Sequence, residues 1–172
     1  EEYFRKFGIN TEFVGHPLLD NPVLNEEFIP IENRERRIML LPGSRSQEIH
    51  RHLPILVETV KILKDKLPDF EFTIAKSKAV NIREIEKYTV RTPYINIRDN
   101  ARELMRRSRA GIVKSGTSNL EAALAGMPFS LVYTISKMTY FIGKRIINLD
   151  WISIVNILKN ENVIKEFIQS DA

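Results

Sequence analysis

Hydrophobic residues in this chain gather in short unbroken runs, and between the runs they recur at helical spacing. Ile38-Met39-Leu40-Leu41 is the clearest run, the kind a strand needs when both of its faces are covered. Phe70 to Ala75, Tyr94 to Ile97, Ala110 to Val113 and Phe129 to Tyr133 predict four more strands. Leu53, Leu56, Val57, Val60 and Leu63 keep the period of a buried helix face. Helices are also predicted over 81–88, 99–108 (capped by Asp99 or Asn100), 137–148 and 162–169. Ser44 with Gln47 three residues on predicts a capping box, and Pro54 predicts a break or restart in the helix that follows. Residues 1–8 read as a helix end stopped by Gly8, Thr11 to Val14 as a short strand, and Gly15-His16-Pro17 as a turn. Leu18 to Pro30 reads as an irregular linker, and Arg34 to Arg37 as a solvated lead-in to the first strand. Strand and helix thus alternate about five times, which predicts an α/β fold with a doubly wound parallel sheet.

Two polar turns stand where strands end. Gly43-Ser44-Arg45 follows the first strand, and Ser115-Gly116-Thr117 follows Ala110 to Val113 and opens a helix on which Leu120, Ala123 and Leu124 share a face. A strand, a small-residue turn and a helix place backbone N–H groups and a helix dipole before an anion. Gly116 admits close approach of a ligand, Ser115 and Thr117 add hydroxyls, and Glu121 one turn on offers a carboxylate to a sugar diol. The pattern fits a nucleotide diphosphate, and it fits an ordinary capped β–α turn. Arg45 likewise reads as a fork for a diphosphate or as a surface arginine paired with Glu48. In a doubly wound sheet both turns lie at the carboxyl edge and can converge on one crevice.

Composition narrows the field. The 172 residues suit one domain with a real core, and 43% hydrophobic content argues against disorder. The chain has no cysteine, which excludes disulfides, thiol catalysis and cysteine-bound zinc and fits a reducing compartment. The net charge of +4 is compatible with a phosphorylated ligand, an anionic membrane or nucleic acid. No apolar run reaches the ~18 residues of a membrane span. The fingerprints of P-loop nucleotidases, dinucleotide-binding sites and serine-elbow hydrolases are missing. His50 and His52 are two apart, so they read as exposed helix histidines rather than a metal pair. Arg102, Arg106, Arg107 and Arg109 cluster, but Asp99 and Glu103 interleave and no aromatic platform accompanies them, so a solvated helix face is expected and no nucleic acid. Residues 138–154 mix aromatic and basic side chains and read either as a core helix or as a segment at an anionic membrane surface.

At Val14–Asp20 (VGHPLLD), Leu40–Ile49 (LLPGSRSQEI), Ser115–Pro128 (SGTSNLEAALAGMP) and from Tyr133 through Asn156 to Glu166–Gln169 (EFIQ), the chain resembles the lipid-A-disaccharide synthase family, motif by motif and in order. The resemblance implies an inverting glycosyltransferase of the GT-B architecture, two Rossmann-like domains facing across a cleft. Such an enzyme transfers diacylglucosamine from its UDP derivative to diacylglucosamine 1-phosphate and releases UDP. It also implies that this chain is the carboxyl-terminal, donor-binding half. Residues 1–30 would then be the end of a crossover from a missing amino-terminal domain, and 31–172 the UDP-sugar domain. The missing half would carry the catalytic base, so the chain alone is expected to bind donor without turnover. By motif, Gly43, Ser44 and Arg45 would support the leaving diphosphate, Ser115, Gly116 and Thr117 bind it, and Glu121 hold the ribose. Asn156 would stand near the active site, His16 near the phosphates at the crossover, and the main chain at Ile97 and Arg98 by the uracil. Helix N-termini and arginine can stabilise a departing pyrophosphate without a cation, so neither a metal nor another cofactor is expected. The implied location is cytoplasmic, peripheral to the inner membrane.

Three positions depart from the family pattern. Lys114 stands where a small apolar residue is usual, Thr134 where a basic residue often follows the tyrosine, and Ile154-Val155 where Leu-Pro is favoured. Lys114 would add a phosphate contact or point to solvent. Rival readings are another UDP-sugar enzyme of the same architecture, a peptidoglycan N-acetylglucosaminyltransferase or a UDP-N-acetylglucosamine 2-epimerase, and a non-catalytic nucleotide-binding module.

Overall fold

The computed structural model describes residues 2–135 and 151–169. Its sheet has six parallel strands in the order β3-β2-β1-β4-β5-β6. After the short helix α1 (Glu2–Arg5) come β1 (Glu35–Leu41), α2 (Ser46–Lys66), β2 (Glu71–Ala75), α3 (Ile82–Thr89), β3 (Ile95–Arg98) and α4 (Ala101–Arg107). Then follow β4 (Ser108–Lys114), α5 (Thr117–Leu124), β5 (Phe129–Tyr133), α6 (Ile154–Lys159) and β6 (Glu166–Ile168). The chain winds outward from β1 to β3, returns to β4 beside β1, and winds outward again. That is the predicted doubly wound arrangement.

β1 shows why an unbroken apolar run was needed. Ile38 and Leu40 pack with α2 and α3 on one face of the sheet, against Ile49, Leu53, Leu56, Phe72 and Ile85. Met39 and Leu41 point the other way, into a second core with Met105, Val113, Ala122 and Met127. Successive strand residues alternate faces, so a central strand with two covered faces has no polar position to spare.

Several local expectations give way to tertiary packing. α2 runs through Pro54 without a break. Pro54 and His50 both lie on the exposed side of the helix, and burial of Ile49, Leu53, Leu56, Val57 and Val60 outweighs the one backbone bond that Pro54 removes. The Ser44–Gln47 box does not form: Arg45 is the cap residue and makes no side-chain cap bond, while Glu48 Oε2 accepts the Ser44 N–H at 2.9 Å. Neither Asp99 nor Asn100 caps α4 with its side chain; Asp99 instead meets Lys76 Nζ at 3.1 Å. Thr11 to Val14 is irregular. Glu166 to Ile168 is a sixth strand rather than part of a helix, paired with β5 from Leu131↔Glu166 to Tyr133↔Ile168. A short apolar run fits either element until a sheet edge is beside it. The helix expected over 137–148, and most of the aromatic and basic stretch 138–154, lie outside the described residues.

The linker and lead-in are less solvated than their sequence suggests. Leu18 and Leu24 are buried in the second core. Arg34 is buried too: its Nε donates to the Ile29 carbonyl at 2.8 Å, Nη2 to the Ala125 carbonyl at 3.4 Å, and its guanidinium lies 5.0 Å over the Phe28 ring. The arginines near α4 are likewise engaged. Arg106 is buried and bonds Glu26 and the Glu27 carbonyl, Arg107 pairs with Glu35 and Glu103, and Arg109 donates to the Arg34 and Glu32 carbonyls. The expected solvated face is in fact a tether between α4, β4 and the segment before β1.

Candidate functional site

The topology creates the site. The loops leaving β1 and β4 go to opposite sides of the sheet, so a crevice opens between these neighbouring strands at their carboxyl ends. The cleft there has a volume of about 760 Å³ and is lined by Gly43, Ser44, Arg45, Glu48, Lys76, Ser77, Arg102, Lys114, Ser115, Gly116, Thr117 and Glu121, among others. The two turns read from sequence therefore meet at one rim.

Each turn relies on a glycine. Gly43 has φ +122°, and a Cβ there would lie 2.4 Å from Glu48 Oε2 and 2.6 Å from its Cβ, so a side chain would collide with the residue that holds this turn. Gly116 has φ +143° and ψ −162°, a region essentially reserved for glycine, and it makes no side-chain cap bond to α5. The start of α5 borders the cleft through Gly116, Thr117 and Ser118, and the next N–H, that of Asn119, donates to the Gly116 carbonyl at 3.1 Å. The start of α2 differs, because a carboxylate of its own helix, Glu48, already occupies the Ser44 N–H.

The side chains set the charge. Among the lining residues Arg45, Lys76, Lys78, Arg102 and Lys114 face Glu48, Glu103 and Glu121, so the cleft is net cationic. Arg102 grips Glu121 Oε1 from Nη2 at 2.6 Å and Nε at 2.8 Å, which fixes the carboxylate on the cleft wall. Glu48 Oε1 receives Lys114 Nζ at 2.8 Å, and Arg45 Nη1 stands 3.7 Å away. Burial alone would raise the Glu48 pKa; the Lys114 hydrogen bond and the Ser44 N–H more than offset it, so the carboxyl titrates below its usual range. The Arg45 side chain is 83% exposed, so its tie to Glu48 costs little to exchange for another anion.

Gly43, Ser44, Arg45, Ser115, Gly116, Thr117 and Glu121 are thus brought together. Four other expected site residues are not. Asn156 is fully buried: its Nδ2 donates to the Ile164 carbonyl and to Glu166 Oε1, both at 2.8 Å, and its Oδ1 accepts the Ile164 N–H at 2.7 Å. It staples α6 to β6 and does not line the cleft. His16 is exposed and accepts the Leu18 N–H at 3.1 Å on Nδ1, capping a 3-10 turn over Pro17–Asp20. Ile97 and Arg98 end β3, two strands from the switch point, and the Arg98 carbonyl accepts the Lys76 N–H at 2.8 Å.

Sequence reading missed the Glu48–Lys114 and Arg102–Glu121 pairs, which join residues far apart in the chain. It also placed both histidines outside. His50 is exposed and bonds Tyr88 Oη at 2.6 Å, but His52 is buried, with Nδ1 2.8 Å from the Glu48 carbonyl and Nε2 accepting the Thr134 N–H at 3.1 Å. The spacing Ile49, His52, Leu53, Leu56 already puts His52 on the apolar face of α2. Among the described residues no group of three His, Cys, Asp or Glu side chains is placed to hold a metal ion, and no helix is long and apolar enough to cross a membrane.

Fold and cleft define a doubly wound α/β domain with a net cationic cleft at its switch point. The chain belongs to the lipid-A-disaccharide synthetase family, whose model matches residues 1–172. It is similar to the lipid-A-disaccharide synthases of Geobacter metallireducens (34% identity over 99% of this chain and 46% of the relative), Persephonella marina (36%, over 94% and 46%) and Aquifex aeolicus (34%, over 100% and 48%). The chain spans about half the length of these curated relatives.

Proposed function

We propose that this chain is the donor-binding half of an inverting GT-B glycosyltransferase that moves diacylglucosamine from UDP to diacylglucosamine 1-phosphate and releases UDP. The observation that carries the reading is the meeting of the two turns at one cationic cleft, with the start of α5 open beside it. In this reading the N–H groups of Thr117 and Ser118 at the start of α5 and the hydroxyls of Ser115 and Thr117 take the diphosphate. The exposed guanidinium of Arg45 closes on it and steadies the charge that grows as the glycosidic bond breaks. Glu121, oriented by Arg102, accepts hydrogen bonds from the ribose hydroxyls. A second domain supplies the acceptor site and the base, and the lipid substrates bring the whole enzyme to a membrane surface.

The test is calorimetric titration of UDP into the whole enzyme and into its Arg45→Ala and Glu121→Ala variants. Each variant is expected to bind UDP about tenfold or more weakly, the loss of one or two charge-assisted hydrogen bonds. Absence of UDP binding by the parent protein at millimolar ligand, or unchanged affinity in both folded variants, would refute the reading.

A further inference from the structure

One ion pair ties the two turns of the cleft together. Lys114 ends β4 and places Nζ 2.8 Å from Glu48 Oε1, while Glu48 Oε2 accepts the N–H of Ser44 at 2.9 Å. The ammonium is not confined to Glu48. It lies 3.5 Å from where a Cβ on Gly116 would be, beside the start of α5, and 6.0 Å from the centre of the Tyr133 ring. Glu48 in turn has a second cation at hand, Arg45 at 3.7 Å. An ammonium carries three donors, and Glu48 accepts one of them. Its four-carbon stem lets the group swing by a few ångströms.

Resting on the UDP-sugar reading, we infer that Lys114 is a diphosphate-binding residue that Glu48 holds in reserve: the ammonium leaves Glu48 for the phosphate beside Gly116, and Glu48 keeps the Ser44 N–H while the five-donor guanidinium of Arg45 bridges it to the diphosphate. A largely shielded ammonium needs an anion at all times, and a carboxylate that loses it needs a cation. Both needs are met at each end of the exchange. Glu48 therefore competes with the ligand for Lys114. A clamp that merely braced the turns would make the two residues equivalent, whereas partner exchange makes them opposed.

The experiment measures UDP and uridine affinities of the whole enzyme by calorimetry, with unfolding midpoints to verify folding. Lys114→Met is expected to weaken UDP binding about 10- to 100-fold, as loss of a charge-assisted bond would. Uridine, which lacks the phosphates, should bind within about twofold of the parent, and Lys114→Arg should recover most of the loss. Glu48→Gln retains an oxygen for the Ser44 N–H but releases Lys114, so UDP should bind as tightly as in the parent or up to about tenfold more tightly. Should Lys114→Met fold poorly around a stranded carboxylate, the double variant Lys114→Met/Glu48→Gln removes that charge and should show the same UDP-specific loss. Parallel losses in Lys114→Met and Glu48→Gln, or UDP affinity of Lys114→Met within threefold of the parent, would overturn the inference alone. Failure of the parent enzyme to bind UDP would overturn the donor-site reading and this inference with it.

Discussion

At the scale of one residue, His52 links the cleft floor to the sheet. Its Nε2 accepts the Thr134 N–H, so the proton of the neutral ring sits on Nδ1 and is donated to the Glu48 carbonyl. Burial lowers its pKa from 6.5, aided by the charge of Lys114, while the bond to the Glu48 carbonyl partly opposes the shift. A folded pKa below the unfolded one means that the unfolded chain binds more protons between the two values. The stability contributed by neutral His52 is therefore fully present above about pH 6.5 and is lost as pH falls through the lower folded value. In urea unfolding at pH 7.5, His52→Ala should cost about 2–4 kcal/mol, because it strands the Thr134 N–H and leaves a cavity. At pH 5 the gap between parent and variant should narrow. A gap of constant size across that range would contradict the assigned tautomer and burial.

At the scale of elements, α6 and β6 are joined through Glu166. Its carboxylate accepts the N–H groups of Ile152 and Ser153, both at 2.9 Å, and Asn156 Nδ2 at 2.8 Å. The network fastens the edge strand of the sheet to the helix beside α5 and makes Asn156 a structural residue. Asn156→Ala should lower stability by about 2–3 kcal/mol, since it leaves the Ile164 N–H and the half-buried Glu166 carboxylate short of partners. The folded variant should keep UDP affinity within about twofold. A large loss of affinity without loss of stability would instead put Asn156 at the ligand. The first five strands in chain order were legible in the sequence because β1 to β5 contain apolar runs bounded by turns. β6 was not, because Glu166-Phe167-Ile168 has no period of its own and becomes a strand only by pairing with β5.

For the whole molecule, the return of the chain from β3 to β4 creates the cleft, because it alone makes the turns after β1 and β4 neighbours. If the cleft binds the nucleotide through its phosphates, binding must appear as stability. UDP at a hundredfold excess over its Kd should stabilise the folded enzyme by about 2.7 kcal/mol, seen as a raised unfolding midpoint. Uridine at the same concentration should raise it much less, and added salt should shrink the UDP effect as screening grows. Equal shifts from UDP and uridine would remove the phosphates from the account. By itself the sequence determined the parallel α/β class, the central strands, the two glycine-bearing turns and the family, since all of these are written in local period and turn chemistry. Only the tertiary structure decided that Lys114 faces Glu48, that Arg102 orients Glu121, that His52 is buried and that Asn156 is a staple. Each of these depends on which segments lie side by side, and no local pattern carries contacts across 8 to 82 residues of chain.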